Sequence, residues 1–416
     1  MTEKANNLIN EFKINGWQTK KLYERLFDLT SSQAETFAFA SAYLKLFDKN
    51  ATILNYILSY VDKQYFNELV NIALEFLKKQ KNENALNVIE YASLQFPELL
   101  HDDLELIFDI MPSYFTFNCW RQLPKEKIEV FKNKFVDSNT SNETKKKLFE
   151  CLLQTREIET IVLVYEYVKI NNIFGIDNSE DILLSYLELV GFTIRNDKVE
   201  TYCPNYVKHF SFKKDYFLKD NLINMSKVQH PTWNLEVCET QYKFGGMIQN
   251  NQKNPFTHLI TFDTIPKGIN ISELSSLILG LHIRELNDWG LVFYQHDKLG
   301  KPSKIGEIRE IENFLGLSIK ETEIFFANTT DRWLFQNWGS SNGNENLFRL
   351  GGEPTWIQNA EVLVCPICDE KMDFLMQLDT DLPDIKDGEV YFGNGGICYV
   401  FWCNKSKVSG YVTQCT

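Results

Sequence analysis

The stretch VCPICDEKMDFLMQLDTDLP, residues 364–383, decides the fold once it is set beside HLITFDTIP, residues 258–266. In both, an alternating apolar run reads as a strand, and Asp-Thr and a Pro follow it. A lead-in and a Gly-Gly pair precede each, YKFGG at 242–246 and FRLGG at 348–352. A further strand follows each, SLILGLHI at 276–283 and GICYVFWC at 396–403. The pattern is an internal duplication, covering about 230–300 and 345–416, and it predicts two similar β sheets packed about a pseudo-twofold axis. The pairs Gly245-Gly246 and Gly351-Gly352 read as turns that need positive φ or close backbone approach. Neither pair opens a helix, as a phosphate-binding loop would.

The rest of the chain has a different period. In YFNELVNIALEFLKKQ (65–80), Phe66, Leu69, Val70, Ala73, Phe76 and Leu77 share one stripe at three- and four-residue spacing. ENALNVIEYASLQF (83–96) repeats the stripe until Pro97 stops it. Ser32 with Glu35, and Thr140 with Glu143, have the capping-box spacing. With 416 residues the chain is too long for one core. We therefore expect an α+β protein of two domains. The helical domain, residues 1–205, is a HEAT-like stack of hairpins or a bundle. The β-rich domain, residues 206–416, is duplicated and antiparallel, with an inserted helix at IGEIREIENFLGL (305–317), and the linker falls between about 205 and 225.

Composition narrows the partners. A net charge of −13 argues against nucleic acid, which needs a clustered excess of Lys and Arg. Short basic clusters such as Lys145-Lys146-Lys147 read as solvated helix faces. No run approaches the roughly 18 apolar residues of a membrane span, and the first residues are charged where a signal peptide is apolar. Nine cysteines, an odd number spread along the chain, make no disulfide framework and fit a reducing compartment. These features together predict a cytoplasmic protein.

Cys365 and Cys368 have the spacing that lets two thiolates face one tetrahedral zinc ion, and a structural site needs two more ligands. An unmetallated pair and a redox dithiol stay open, although a redox pair would want a helix after it and here a strand follows. Side chains alternate along GICYVFWC, so Cys398 and Cys403 point to opposite faces and one of them can join the pair. Gln358, Gln377 and Gln414 are polar residues in otherwise apolar strands. If buried they need partners, either in a structural network or as the lining of a polar cleft that binds a ligand. His296 beside Asp297 reads as a strand-end histidine or a metal or base site. The chain has no Gly-x-Ser-x-Gly elbow, His-Glu-x-x-His or Walker glycine pattern.

RLGGEPTWIQ, CPICDEKMDFLMQLDTDLP, GNGGICYVFWC and GYVTQC, with HPTW at 230–233 and FGG at 244–246, resemble the YwqG-like family of bacterial proteins. The resemblance covers about residues 205–416. It implies a duplicated β fold without an established enzymatic activity, and occurrence of some members near toxin systems suggests an immunity role. More distantly, Gly351, Gly352, Pro354, Trp356, Cys365, Cys368, Gln377 and Cys403 resemble a pattern of the programmed-cell-death-2-like chaperones, which is complete here only once. That likeness favours Cys403 as third ligand, with Cys415 or a histidine as fourth. The expectation is a non-catalytic protein-interaction module, an immunity protein in its sharpest form, that buries anchors such as Trp356 against a basic partner. The alternatives are a chaperone for a basic client, and a small-ligand binder or enzyme using the cleft between repeats.

Overall fold

The structure, a computed structural model, describes residues 2–15, 20–48, 51–79, 82–110, 118–175, 179–217, 229–249, 254–287, 290–308, 318–338, 345–385 and 388–416. The chain divides into two compact units. One comprises Met1–Tyr186, Asp220–Pro231 and Asp331–Glu345, and the other Leu187–Lys219, Thr232–Thr330 and Asn346–Thr416. The architecture is α+β, helical first and antiparallel β afterwards.

The helical unit opens with α1 (Glu3–Asn15), α2 (Lys20–Leu29), α3 (Gln33–Leu46), α4 (Ala51–Leu58), α5 (Lys63–Leu77) and α6 (Glu83–Gln95). The stripe on α5 buries Phe66, Leu69, Val70, Ala73 and Leu74. Helix α1 packs on α3 and α3 on α5, while α4 packs on α6. This alternate layering is that of stacked helical hairpins. Ser32 caps α3 by accepting from the Glu35 amide (3.5 Å). Thr140 is not the second cap. Ser141 takes that place and accepts from the Thr144 amide (3.2 Å), because Thr140 donates to the Lys134 carbonyl (2.7 Å).

Two later segments return to this unit. The Tyr91 hydroxyl donates to the Glu345 carboxylate (2.8 Å), and Arg332 donates to Gln95 (2.6 Å) and to the carbonyls of Leu58 and Val61 (both 3.2 Å). The division at 186/187 falls before residue 205 because the hairpin of β1 (Phe192–Arg195) and β2 (Lys198–Thr201) is bonded to the β unit. Arg195 pairs with Asp373 (2.7 Å), and the Phe374 amide donates to the Tyr202 carbonyl (2.8 Å).

The β unit continues with β3 (Val207–Phe212), β4 (Val237–Phe244), β5 (Met247–Gln249), β6 (Phe256–Phe262), β7 (Leu277–Leu281), β8 (Val292–His296), β9 (Pro302–Lys304) and β10 (Thr322–Asn328). After these come β11 (Arg349–Gly351), β12 (Asp373–Asp379), β13 (Leu382–Pro383), β14 (Glu389–Val390), β15 (Ile397–Cys403) and β16 (Val408–Gln414). One sheet runs β5-β6-β4-β10-β3-β11-β12-β15-β16-β8-β9, with β7 also on β6. The expected pair of packed sheets is therefore replaced by a single one, because β3 and β10 join the two copies edge to edge. The inserted helix at 305–317 lies largely outside the described residues.

The duplication is written in the register. Lys243–Thr261 and Phe244–Ile260 in β4–β6 match Arg349–Gln377 and Leu350–Met376 in β11–β12. One strand further, Phe262–Leu277 and Thr261–Ile278 match Leu378–Cys398 and Gln377–Tyr399. Both copies slip at the same place, between His258 and Ile260 and between Phe374 and Met376. Leu259 and Leu375 are thus equivalent bulge residues. At the centre, Ile324 faces Phe212 and Phe326 faces Phe210, on either side of Phe325–Ser211. Counted from β4 and β11, Ile324 corresponds to Phe210 and Phe326 to Phe212. The two pairs exchange under a pseudo-twofold axis through Phe325–Ser211. Even the turns agree. Gly245 and Gly351 have φ of 74° and 75°, and a Cβ would meet the Lys320 carbonyl oxygen at 2.5 Å in one and that of Tyr206 at 2.2 Å in the other.

The core on one face of this sheet gathers Phe210, Phe244, Phe262, Phe348, Leu378, Val400 and Trp402. Aromatic rings dominate it, with Phe212 in edge contact with Phe244 (5.3 Å) and Phe348 (5.1 Å).

Candidate metal centre

The copies differ between the Gly-Gly turn and the following strand. Residues 247–255 fill that interval in the first, and the longer segment 353–372 fills it in the second. This segment lies on the face of the second copy opposite the aromatic core. Three glutamine and arginine side chains rising from the strands hold its backbone. Gln377 accepts from the Thr355 amide (2.8 Å) and donates to the Leu347 carbonyl (2.9 Å). Gln414 accepts from the amides of Ile357 (3.2 Å) and Gln358 (3.1 Å) and donates to the Asn359 carbonyl (2.7 Å). Arg349, fully buried, donates to the Glu353 carbonyl (2.6 Å) and to the Thr355 hydroxyl (2.8 Å).

These bonds tie the side chains of Gln377 and Gln414 to the covering segment. Gln377 and Gln414 are buried and bonded to the chain's own backbone. Gln358 is exposed and donates to the Cys415 carbonyl (2.8 Å). Trp356 packs on neighbouring rings of the same unit. It is half-buried, with its ring 4.5 Å from Tyr399, and its indole N–H donates to the Tyr202 hydroxyl (3.3 Å). Gly351, Gly352 and Pro354 are buried in the turn that launches the segment.

The segment ends at the cysteines. The Sγ atoms of Cys365, Cys368 and Cys403 all lie within 4.8 Å of one another, and those of Cys368 and Cys403 are 3.5 Å apart. Alternation along β15 explains which cysteine joins. Tyr399, Phe401 and Cys403 face the segment, whereas Cys398 lies in the aromatic core with Val400 and Trp402. Cys365 and Cys403 are buried and Cys368 is half-buried. The Cys365 amide donates to the Glu370 carbonyl (2.9 Å), the Asp369 amide to the Cys365 carbonyl (3.0 Å), and the Ser406 amide to the Cys403 sulfur (3.5 Å). Burial pushes the Cys368 thiol up, but hydrogen bonds from Ser406 and from the Glu370 backbone outweigh it and leave the thiol below its ordinary value. Burial raises Cys403 to about 11.

The donors suit a soft, thiophilic ion. Three sulfurs converging within 4.8 Å of one another, with the Ser406 amide aimed at one of them, suit a thiolate-bound metal. The cluster can hold a metal ion.

Cys415 is not brought to this cluster. Ile397 lies opposite Gln414 and Cys403 opposite Val408, so Cys415 is off the far end of the hairpin. At about 3.3 Å per residue that is about 20 Å from Cys403. Histidine does not supply the ligand from β8 either. His296 is buried, with Nε2 2.8 Å from the Ser409 hydroxyl and Nδ1 3.2 Å from the Gly300 carbonyl. A pocket of about 220 Å³ opens nearby, lined by Tyr202, Asn270, Asp373 and Trp402 among others. It is smaller than the roughly 300–1,000 Å³ of small-molecule sites.

Sequence reasoning missed Arg349, Thr355 and Ser406. Arg349 and Thr355 were visible only as flanks of the Gly-Gly turn, and serine is not a residue type that flags a metal. All nine cysteines are free thiols. No helix of the described residues is long and apolar enough to cross a membrane. No family model, curated protein or solved structure matches the chain.

Proposed function

We propose that this chain is a non-catalytic protein-binding module of the YwqG-like kind, whose second β copy is held together by a structural zinc ion. The observation that carries the reading is the use of the polar side chains on that face. Gln377, Gln414 and Arg349 spend their hydrogen bonds on residues 353–359 of the same chain, and the thiols close the other end of that segment. A layer fixed at both ends is a rigid platform, and rigid platforms serve recognition by lowering the entropy lost on binding.

Zinc fits the platform because it has no redox chemistry and favours tetrahedral thiolate sites. The partner is a basic protein, drawn by the net charge of −13. A toxic effector as partner makes the chain an immunity protein, and a basic ribosomal or nascent client makes it a chaperone.

The test is affinity capture from native extract, followed by reconstitution of the complex from purified components and its titration with salt. The reading expects one basic partner at fixed stoichiometry, with association slowed by salt. A co-purifying small molecule that the chain turns over, with no protein partner, contradicts it.

A further inference from the structure

The second strand of the metal cluster ends in Cys403-Asn404-Lys405-Ser406, which has the spacing of Cys365-Pro366-Ile367-Cys368 with serine in the last place. The backbone makes the same turn in both. The residue after Cys368 is Asp369, at φ 56°, and the residue after Ser406 is Lys407, at φ 54°. Left-handed conformations are uncommon for residues other than glycine, so two of them at equivalent places mark two loops of one kind. In the second loop a backbone amide turns back onto the sulfur that opens it. Ser406 sends its amide to Cys403 (3.5 Å), which places residue 406 beside the sulfur cluster. An ion pair between Lys405 and Glu370 (2.6 Å) ties the two loops across the cluster.

Resting on the zinc reading above, we propose that Ser406 holds the fourth position of the metal centre, which is then three thiolates and one oxygen instead of four thiolates. On binding, the three thiols each lose a proton to solvent and the Ser406 hydroxyl stays neutral, so the centre carries one net negative charge beside Lys405. A neutral oxygen is a weaker partner for zinc than a thiolate. The fourth position is therefore the exchangeable one, and an added thiol can replace the serine there.

X-ray absorption of the zinc-loaded full chain tests this without any variant. The expected first shell is three sulfurs near 2.3 Å and one oxygen near 2.0 Å. Ser406→Cys is expected to convert it to four sulfurs and to raise zinc affinity in chelator competition by at least tenfold, while Cys415→Ser leaves shell and affinity unchanged. A fourth sulfur in the wild-type shell, or a nitrogen from histidine, overturns the assignment, as does a Ser406→Cys variant that folds and binds with three sulfurs. Those results leave the zinc reading intact. Absence of zinc from the wild-type chain overturns both.

Discussion

The sulfurs of Cys368 and Cys403 lie 3.5 Å apart although 35 positions separate them in the chain. That contact joins the end of an inserted segment to the end of a core strand. Without an ion the thiols hold little, since a thiol is a weak donor and acceptor. With an ion, the binding energy of three thiolates becomes stability of the platform. Chelation of the purified protein is therefore expected to lower its melting temperature by several degrees and to expose residues 353–372 to protease. Limited digestion with and without chelator measures this. Equal cleavage in the two states contradicts it.

Gln377 has the larger structural role of the two contrasting glutamines. Gln377→Leu leaves the Thr355 amide and the Leu347 carbonyl buried without their partner, and a cost of about 2–6 kcal/mol follows from about 1–3 for each stranded group. Gln358→Ala, at an exposed position, is expected to cost less than about 0.5 kcal/mol. Urea denaturation of the two variants distinguishes a structural network from a ligand-binding cleft, in which both would act on binding and neither on stability.

The pseudo-symmetry predicts matched penalties at Gly245 and Gly351. Alanine at either meets a carbonyl oxygen at 2.5 or 2.2 Å and must take a left-handed φ. Each substitution is expected to cost at least about 2 kcal/mol, from about 1–2 for the backbone alone plus the clash. A neutral result at one position would show that the two turns are not equivalent.

Acid should weaken the β unit. Burial holds His296 at about 4, below its ordinary 6.5, so the folded chain keeps it neutral while the unfolded chain takes up a proton. Stability from this group is full above about pH 6.5 and is lost as pH falls toward 4, by about 3 kcal/mol in all. His258 and His282 are also lowered by burial and act in the same sense. Denaturation at pH 7 and pH 4.5 is expected to show a smaller difference for His296→Gln than for the wild type. An equal difference would mean that His296 is not the group responsible.

Much of the β unit was legible because its copies share a signature. DFLMQLD alternates, and β12 spans the same residues, 373–379. The joining of the copies was not legible. Strands β3 and β10, VKHFSF and TEIFFAN, carry no Gly-Gly turn or Asp-Thr, so nothing local marks them as each other's partner. Two thiols of the cluster were legible from spacing and the third from strand alternation with the family likeness. Cys415 misled because nearness in sequence to β15 says nothing about which end of the hairpin it reaches until the register is known. Between a network and a cleft the glutamines could not be assigned from sequence, because the segment that covers Gln377 and Gln414 has no regular structure and left no periodic trace.

The central claim is that Cys365, Cys368 and Cys403 hold one structural zinc ion, and metal analysis of the untagged, reduced protein tests it most directly. The account predicts one zinc per chain, lost on Cys365→Ser and kept on Cys415→Ser. A wild-type protein that stays metal-free in the presence of added zinc, or zinc content indifferent to Cys365→Ser, contradicts it.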